Sequence, residues 1–146
     1  MRGAWLPEEA PEAVRRAPGA DLAGRRVLVV ENDRAMREAF GMLLRSWGME
    51  VVSAAGLAEA SATAGDGGAF DLVLTDYRLD GDETGAQVIE AMRRDLGAAV
   101  PALIVSAEAA EAVRRLAEPL GVPVLEKPVA EAELRRAVEE LLEGTA

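Results

Sequence analysis

Four short apolar runs of this sequence end in polar residues that suit phosphoryl and metal chemistry. Residues 27–30 lead into Glu31 and Asn32, residues 70–75 into Asp76, residues 103–105 into Ser106, and residues 122–125 through Glu126 into Lys127. If these runs are parallel strands of one open sheet, their carboxyl ends lie along a single edge, where open α/β sheets bind ligands. A carboxylate, a hydroxyl and an ammonium would then converge there, with possible metal ligands on one side of Asp76 and holders for phosphate on the other.

The acidic and amide side chains at these strand ends each have two interpretations. Asp76 ends the most apolar run, so its carboxylate could be a metal ligand, a nucleophile or both; the alternative is a turn or helix-capping aspartate. Glu31 and Asn32 offer oxygen ligands of the kind that Mg²⁺ prefers. The alternative for this pair is that Asn32 or its neighbour Asp33 merely caps the following helix.

An ammonium and a hydroxyl stand at the ends of the other two runs. Lys127 is the only lysine of the chain, and at a strand end it would act as a compact positive charge for a phosphoryl oxygen or for the Asp76 carboxylate. Ser106 could donate to a phosphoryl oxygen, and the alternative is a simple turn serine.

Composition excludes several classes of function. A net charge of -10 argues against a nucleic-acid surface, which needs clustered cations. The chain has neither cysteine nor histidine, so Ser-His-Asp and Cys-His hydrolases are excluded. No apolar stretch approaches the ~20 residues of a membrane span, and the start lacks the pattern of a signal peptide. We therefore expect a cytoplasmic protein without membrane or nucleic-acid contacts.

The elements that must position these residues follow from periodicity. Residues 1–24, rich in proline and glycine, are predicted to be a linker or tail, and residues 25–146 one folded domain. β-branched runs alternate with helical runs, which predicts five strands and five helices of the βαβ type. Right-handed crossovers then give an α/β doubly wound three-layer sandwich, with strand order 2-1-3-4-5. The predicted helices cover about residues 34–47, 57–64, 85–96, 109–120 and 131–143, and a strand at 50–54 joins the four runs.

Two local predictions concern the third and fourth helices. Asp80, Asp82 and Glu83 are interpreted as a solvated turn that caps the third helix. The fourth helix is expected to offer an apolar face to the sheet and to be disturbed in its last turn by proline. The members of that face are Ala109, Ala112, Val113, Leu116 and Leu120.

The four strand-end segments together resemble the receiver domain of two-component response regulators, the CheY-like family. The segments are VLVVEND from residue 27, DLVLTDYRL from residue 71, ALIVSA from residue 102 and VLEKPV from residue 124, and the resemblance covers residues 25–143. It implies a flavodoxin-like five-stranded domain that accepts a phosphoryl group from a kinase phosphohistidine and requires Mg²⁺. Such a domain is a phosphoacceptor and not a conventional enzyme.

The resemblance also implies a role for each matching residue. Asp76 matches the phosphoacceptor, Ser106 the switch hydroxyl and Lys127 the lysine of the Lys-Pro motif. The implied metal ligands are Glu31, Asn32, Asp76 and the backbone carbonyl of Arg78.

Three departures from the family pattern accompany this match. Asn32 stands where the second acid of the acidic pair is usual, which removes a charge from the metal site and lowers the expected affinity for Mg²⁺. Val124 stands where many receivers carry an aromatic switch residue. Asp80 stands where proline is common, with one extra residue before Gly85.

As a set, the departures are similar to receivers fused at the C-terminus of hybrid sensor histidine kinases. The implied partners are a histidine kinase or a histidine phosphotransfer protein, and a homodimer through the face of the fourth and fifth helices is a further candidate. The main alternative is a pseudo-receiver, a protein-interaction module that takes no phosphate because Asn32 impairs the metal site. An aspartyl-phosphate phosphatase is a weaker alternative, since that family needs an aspartate where Arg78 stands.

Overall fold

A computed structural model describes residues 21–66, 68–97 and 99–143 of the chain. Of the predicted tail at residues 1–24, residues 1–20 lie outside the described residues. Five strands form one parallel sheet in the order β2-β1-β3-β4-β5. The strands are β1 (Arg26–Val30), β2 (Glu50–Ala54), β3 (Leu72–Asp76), β4 (Ala102–Ser106) and β5 (Val124–Glu126). The predicted fold class and strand order are thereby confirmed.

Five α-helices connect and cover the strands. They are α1 (Arg34–Ser46), α2 (Leu57–Gly65), α3 (Gly85–Leu96), α4 (Ala110–Ala117) and α5 (Glu131–Glu143), with a 3₁₀ turn at Glu118–Leu120. In the described part of the chain, no helix has the length and apolar character needed to span a bilayer.

Successive side chains along each strand point to opposite faces of the sheet, which divides the core into two layers. Leu28 and Val30 of β1 contact one apolar cluster, which includes side chains of α2, α3 and α4. Val27 and Val29 contact the other cluster, which includes side chains of α1 and α5. All residues of β3 and β4 are buried, as expected for central strands covered on both faces. The sheet is therefore the middle layer of the predicted sandwich.

The α1 cap agrees with prediction, whereas the α3 cap does not. Asp33 caps α1, since its side chain accepts a hydrogen bond from the Met36 N–H. The N-cap of α3 is Thr84, whose side chain forms a reciprocal capping box with Gln87, so the prediction that the preceding acidic turn caps α3 was wrong. Glu83 instead accepts a hydrogen bond from the Leu57 N–H at the start of α2.

The buried face of α4 differs from the predicted one by one residue position. Ala110, Val113 and Ala117 are buried, and Leu116 is 56% exposed. Three members of the predicted face, residues 109, 112 and 116, are exposed, and the prediction was wrong for them. The other two agree with it, since Val113 is buried and residue 120 is partly buried. Small alanine side chains let α4 approach the sheet closely, and the last predicted turn is a 3₁₀ turn that contains Pro119.

The segment before β1 also contributes to the core. Leu22 is only 2% exposed and packs in the cluster that contains Leu44 and Leu142. The Gly24 N–H donates to the Gly48 carbonyl at 2.8 Å, which ties this segment to the turn after α1. The predicted boundary between tail and domain at residues 24 and 25 stays a prediction, but Leu22 is a core residue.

Candidate functional site

The carboxyl ends of four neighbouring strands bring the predicted site residues to one edge of the sheet. Asp76 is the last residue of β3 and Ser106 the last of β4, while Glu31 directly follows β1 and Lys127 directly follows β5. The strands are parallel and in register, so their ends lie at the same edge. The structure therefore places these residues at one edge of the sheet, and their chemical roles stay predictions.

The Lys127 ammonium lies between two carboxylates. Its Nζ is 3.0 Å from Glu31 Oε1 and 3.2 Å from Asp76 Oδ2. Glu31 is 1% exposed and Asp76 9% exposed, so both carboxylates are largely withdrawn from water. Two carboxylates against one ammonium leave one excess negative charge at a position where solvent screens it weakly.

Burial and charge pairing shift the pKa values of two of these groups. Burial is the main reason that the pKa of Glu31 is raised; the nearby Asp76 charge adds to this, and hydrogen bonds from Lys127 and the Asp33 N–H oppose it. Burial alone lowers the pKa of Lys127, but its hydrogen bonds and charge interactions with Glu31 and Asp76 outweigh burial, and the pKa is raised. Lys127 is therefore a permanent cation at neutral pH.

Asn32 is held by the loop that follows β3. Its Nδ2 donates to Asp80 Oδ1 at 2.9 Å. On the other side, the Arg37 guanidinium donates to the Glu31 carbonyl at 2.7 Å and fixes the backbone between β1 and α1. Asn32 and Asp80 are both departures from the family pattern, but their contact was not predicted, since 48 residues separate them.

The rim of the site is formed by an ion pair that was also not predicted. The Arg78 guanidinium donates to the Glu108 carboxylate, which joins the loop after β3 to the loop after β4. The Glu108 N–H in turn donates to Ser106 Oγ at 2.9 Å. Arg78 was singled out only for its backbone carbonyl, and no local spacing indicates a partner 30 residues away.

Gly85 allows α3 to begin beside the backbone of Asp76. Its N–H donates to the Tyr77 carbonyl at 2.6 Å. A Cβ atom at this position would lie 2.3 Å from the Asp76 carbonyl oxygen, which is closer than real Cβ contacts allow. A residue with a side chain would therefore displace α3 or the end of β3.

The donor atoms fit a hard divalent cation. The predicted set offers the carboxylates of Glu31 and Asp76, the amide of Asn32 and the carbonyl of Arg78. All are oxygen donors of the kind that Mg²⁺ takes, and Mg²⁺ keeps several waters when it binds few carboxylates. Among the described residues, no group of three or more His, Cys, Asp and Glu side chains is arranged to hold a metal ion, and the predicted set has two carboxylates. The two carboxylates carry one negative charge more than the Lys127 ammonium balances, and this excess favours a cation here.

Comparison with known proteins places this chain in one family. The sequence profile of the response regulator receiver domain matches residues 27–139, and the chain belongs to that family. It is thus a receiver domain of two-component signalling, and receiver domains interact with histidine kinases. A search of curated protein sequences found no match.

Solved structures give the same result. Chemotaxis protein CheY4 of Vibrio cholerae is 25% identical, with a TM-score of 0.74, covering 82% of this chain and 100% of that one. The receiver domain of sensor histidine kinase PA1611 from Pseudomonas aeruginosa, solved with a magnesium ion in its active-site cleft, is 28% identical, with a TM-score of 0.71 and coverage of 82% and 98%. The receiver domain of hybrid histidine kinase CckA is 30% identical, with a TM-score of 0.66 and coverage of 80% and 98%.

Proposed function

We propose that this receiver domain accepts a phosphoryl group on Asp76 from the phosphohistidine of a histidine kinase or of a histidine phosphotransfer protein, with Mg²⁺ as cofactor. The observation that carries the proposal is the Lys127 ammonium, which contacts both Asp76 and the buried Glu31. A chain that is otherwise strongly acidic places its only lysine against this carboxylate. Such an arrangement suits a reaction in which negative charge accumulates at Asp76.

In the proposed reaction, a carboxylate oxygen of Asp76 attacks phosphorus while the N–P bond of the donor phosphohistidine breaks. The product is an aspartyl phosphate, and the donor imidazole keeps the electron pair of the broken bond. The Lys127 ammonium offsets charge on the phosphoryl oxygens. The Ser106 hydroxyl is oriented by the Glu108 N–H and donates its own proton to a phosphoryl oxygen. A Mg²⁺ ion held by Glu31, Asn32, Asp76 and the Arg78 carbonyl would supply further charge neutralisation.

Labelling with acetyl phosphate, read by intact-protein mass spectrometry, tests the proposal. We expect the wild type to gain one phosphoryl group with Mg²⁺ and none after chelation with EDTA. Asp76→Asn should gain none, because the amide is not a nucleophile for phosphorus. Asp82→Asn is the matched control, since Asp82 is an exposed acid in the loop after β3, and it should be labelled like the wild type. Labelling of Asp76→Asn at the wild-type rate would refute the assignment.

A pseudo-receiver is the second candidate, and one contact favours it. The Asn32 side chain replaces an acid and is engaged with Asp80, so the metal site lacks a charge that related receivers have. Titration with Mg²⁺ in the presence of beryllofluoride separates the two candidates. Saturable binding of both supports the phosphoacceptor, and no binding at millimolar Mg²⁺ supports the interaction module.

We also propose that the domain comes from a hybrid sensor histidine kinase. Two of its structural neighbours, PA1611 and CckA, are receiver domains of histidine kinases, and the sequence departures resemble receivers of that class. The test is the coding sequence upstream of residue 1. A histidine kinase core in the same reading frame supports this context, and an independent gene start without one contradicts it.

Phosphorylation is expected to act on the surface of α4 and α5. A phosphoryl group adds about -1.5 to -2 charges next to a site whose rim is the Arg78–Glu108 pair. We propose that the loops after β3 and β4 rearrange and that the α4–α5 face then supports a homodimer. Light scattering with and without beryllofluoride should reveal an increase in mass, and an unchanged monomer would exclude this interface.

A further inference from the structure

The loop after β3 carries a carboxylate that is in contact with the metal-site amide. Asn32 Nδ2 donates to Asp80 Oδ1 at 2.9 Å, and a carboxylate only accepts hydrogen bonds. The nitrogen and not the oxygen of the Asn32 amide must therefore face Asp80. Because the oxygen and the nitrogen of the amide project in different directions from the same carbon, the carbonyl oxygen is turned away from Asp80.

The position of Asp80 is set by a tight turn. The Leu79 N–H donates to the Glu83 carbonyl at 3.0 Å, and the Glu83 N–H donates to the Asp80 carbonyl at 3.3 Å. Gly81 has a φ of +65°, in the left-handed region that favours glycine. The Glu83 side chain also accepts from the Leu57 N–H, which ties the turn to α2. The turn thus holds Asp80 from two sides.

We propose that Asp80 is a positioning residue for the metal site, and that it compensates for Asn32. By accepting the amide N–H, Asp80 fixes Asn32 in the orientation that offers its carbonyl oxygen to Mg²⁺. Its charge, one hydrogen bond removed from the metal ligands, returns part of the negative charge that Asn32 lacks. Outer partners of metal ligands act in both ways in other metal sites. This inference rests on the proposed Mg²⁺-dependent function.

The test is Mg²⁺ binding by isothermal titration calorimetry, which needs no phosphoryl transfer. We expect Asp80→Ala to weaken Mg²⁺ binding roughly tenfold, at the lower end of the effect of outer partners because the contact is exposed. Asp82→Ala removes the same charge from an exposed position two residues away and should change affinity by less than about twofold. Asp80→Asn keeps an acceptor oxygen without the charge, and should restore part of the loss.

A second background separates orientation from general charge. In Asn32→Asp there is no amide to orient, and two carboxylates would face each other across the same contact. Asp80→Ala should therefore lose only the charge contribution in that background and weaken Mg²⁺ binding less than it does in the wild type.

Each result decides a different claim. If Asp80→Ala binds Mg²⁺ as well as the wild type or better, or if Asp82→Ala loses as much affinity, the positioning role is refuted and the proposed function is not. An equal loss in the Asn32→Asp background also refutes it. A wild type that binds no Mg²⁺ overturns the proposed cofactor, and this inference with it.

Discussion

At the scale of single residues, the central feature is a buried carboxylate kept close to a second one by a single ammonium. Glu31 is nearly inaccessible, and its contacts are Lys127 Nζ at 3.0 Å and the Asp33 N–H at 3.1 Å. These contacts lower the pKa of Glu31, but burial and the charge of Asp76 raise it more. Ionised Glu31 therefore reduces the stability of the fold, a cost that the proposed binding of Mg²⁺ would explain.

Glu31→Gln should consequently change stability in a pH-dependent way. A carboxyl whose pKa is raised by folding favours the folded state when protonated, and stability declines as pH rises from the unfolded pKa through the folded pKa. The glutamine variant does not ionise, so its free energy of unfolding relative to the wild type should increase over this range.

Urea denaturation at about pH 4 and about pH 7.5 measures this difference. We expect the free energy of unfolding of Glu31→Gln, relative to that of the wild type, to be higher at the higher pH. The substitution should also weaken Mg²⁺ binding. A relative gain that is larger at the lower pH would contradict the raised pKa.

At the scale of elements, the start of α3 depends on the absence of a side chain at Gly85. Gly85→Ala places a Cβ against the Asp76 carbonyl oxygen, and should destabilise the fold by about 1–3 kcal/mol, as overpacking does. Gly65→Ala is the matched control, since Gly65 ends α2 with nothing within 4 Å of its Cβ position. That variant should gain about 0.5 kcal/mol from helix propensity. Equal effects in thermal or urea unfolding would contradict the close approach.

The face of α4 gives a second prediction at this scale. Val113 is fully buried, and Val113→Ala should cost about 2 kcal/mol through lost burial and a cavity. Leu116→Ala removes a larger side chain from the same helix, but Leu116 is mostly exposed, so the change should stay within about 0.5 kcal/mol. Denaturant unfolding of the two variants checks the register. A larger loss of stability for Leu116→Ala than for Val113→Ala would support the buried face expected from the sequence.

At the scale of the whole molecule, the sheet separates two apolar layers, and the segment before β1 packs into one of them. Leu22 lies outside the part of the chain that matches the family profile, yet it is buried in the apolar cluster that also contains Leu142 near the end of α5. The domain is therefore stabilised by residues at both of its ends.

Leu22→Ala should reduce the free energy of unfolding by about 2–4 kcal/mol, the range for a buried leucine replaced by alanine. Met42→Ala is the control, because Met42 is 71% exposed on α1 and should have an effect below about 0.5 kcal/mol. Urea unfolding of the otherwise intact chain measures both. A neutral Leu22→Ala would show that the segment before β1 does not contribute to the core.

The sequence by itself determined the sheet and its functional edge. Short β-branched runs alternate with helical periodicity, which predicts parallel strands joined by right-handed crossovers, and the carboxyl ends of parallel strands in one sheet lie at the same edge. The helices were predicted to within a few residues wherever large apolar side chains recur at helical spacing. In α4 the predicted buried face was wrong. Alanine is compatible with a buried or an exposed position, so the prediction followed the larger Leu116 and missed Ala110 and Ala117.

Only the tertiary structure decided how side chains from different loops meet. The Asn32–Asp80 and Arg78–Glu108 contacts join residues 48 and 30 positions apart, and no periodicity carries information about such pairs. The cap of α2 by Glu83 has the same origin, since Gly56 offers no side chain of its own. Local sequence fixes which backbone a segment adopts, whereas contacts between loops depend on where the packed helices and strands place their ends in space.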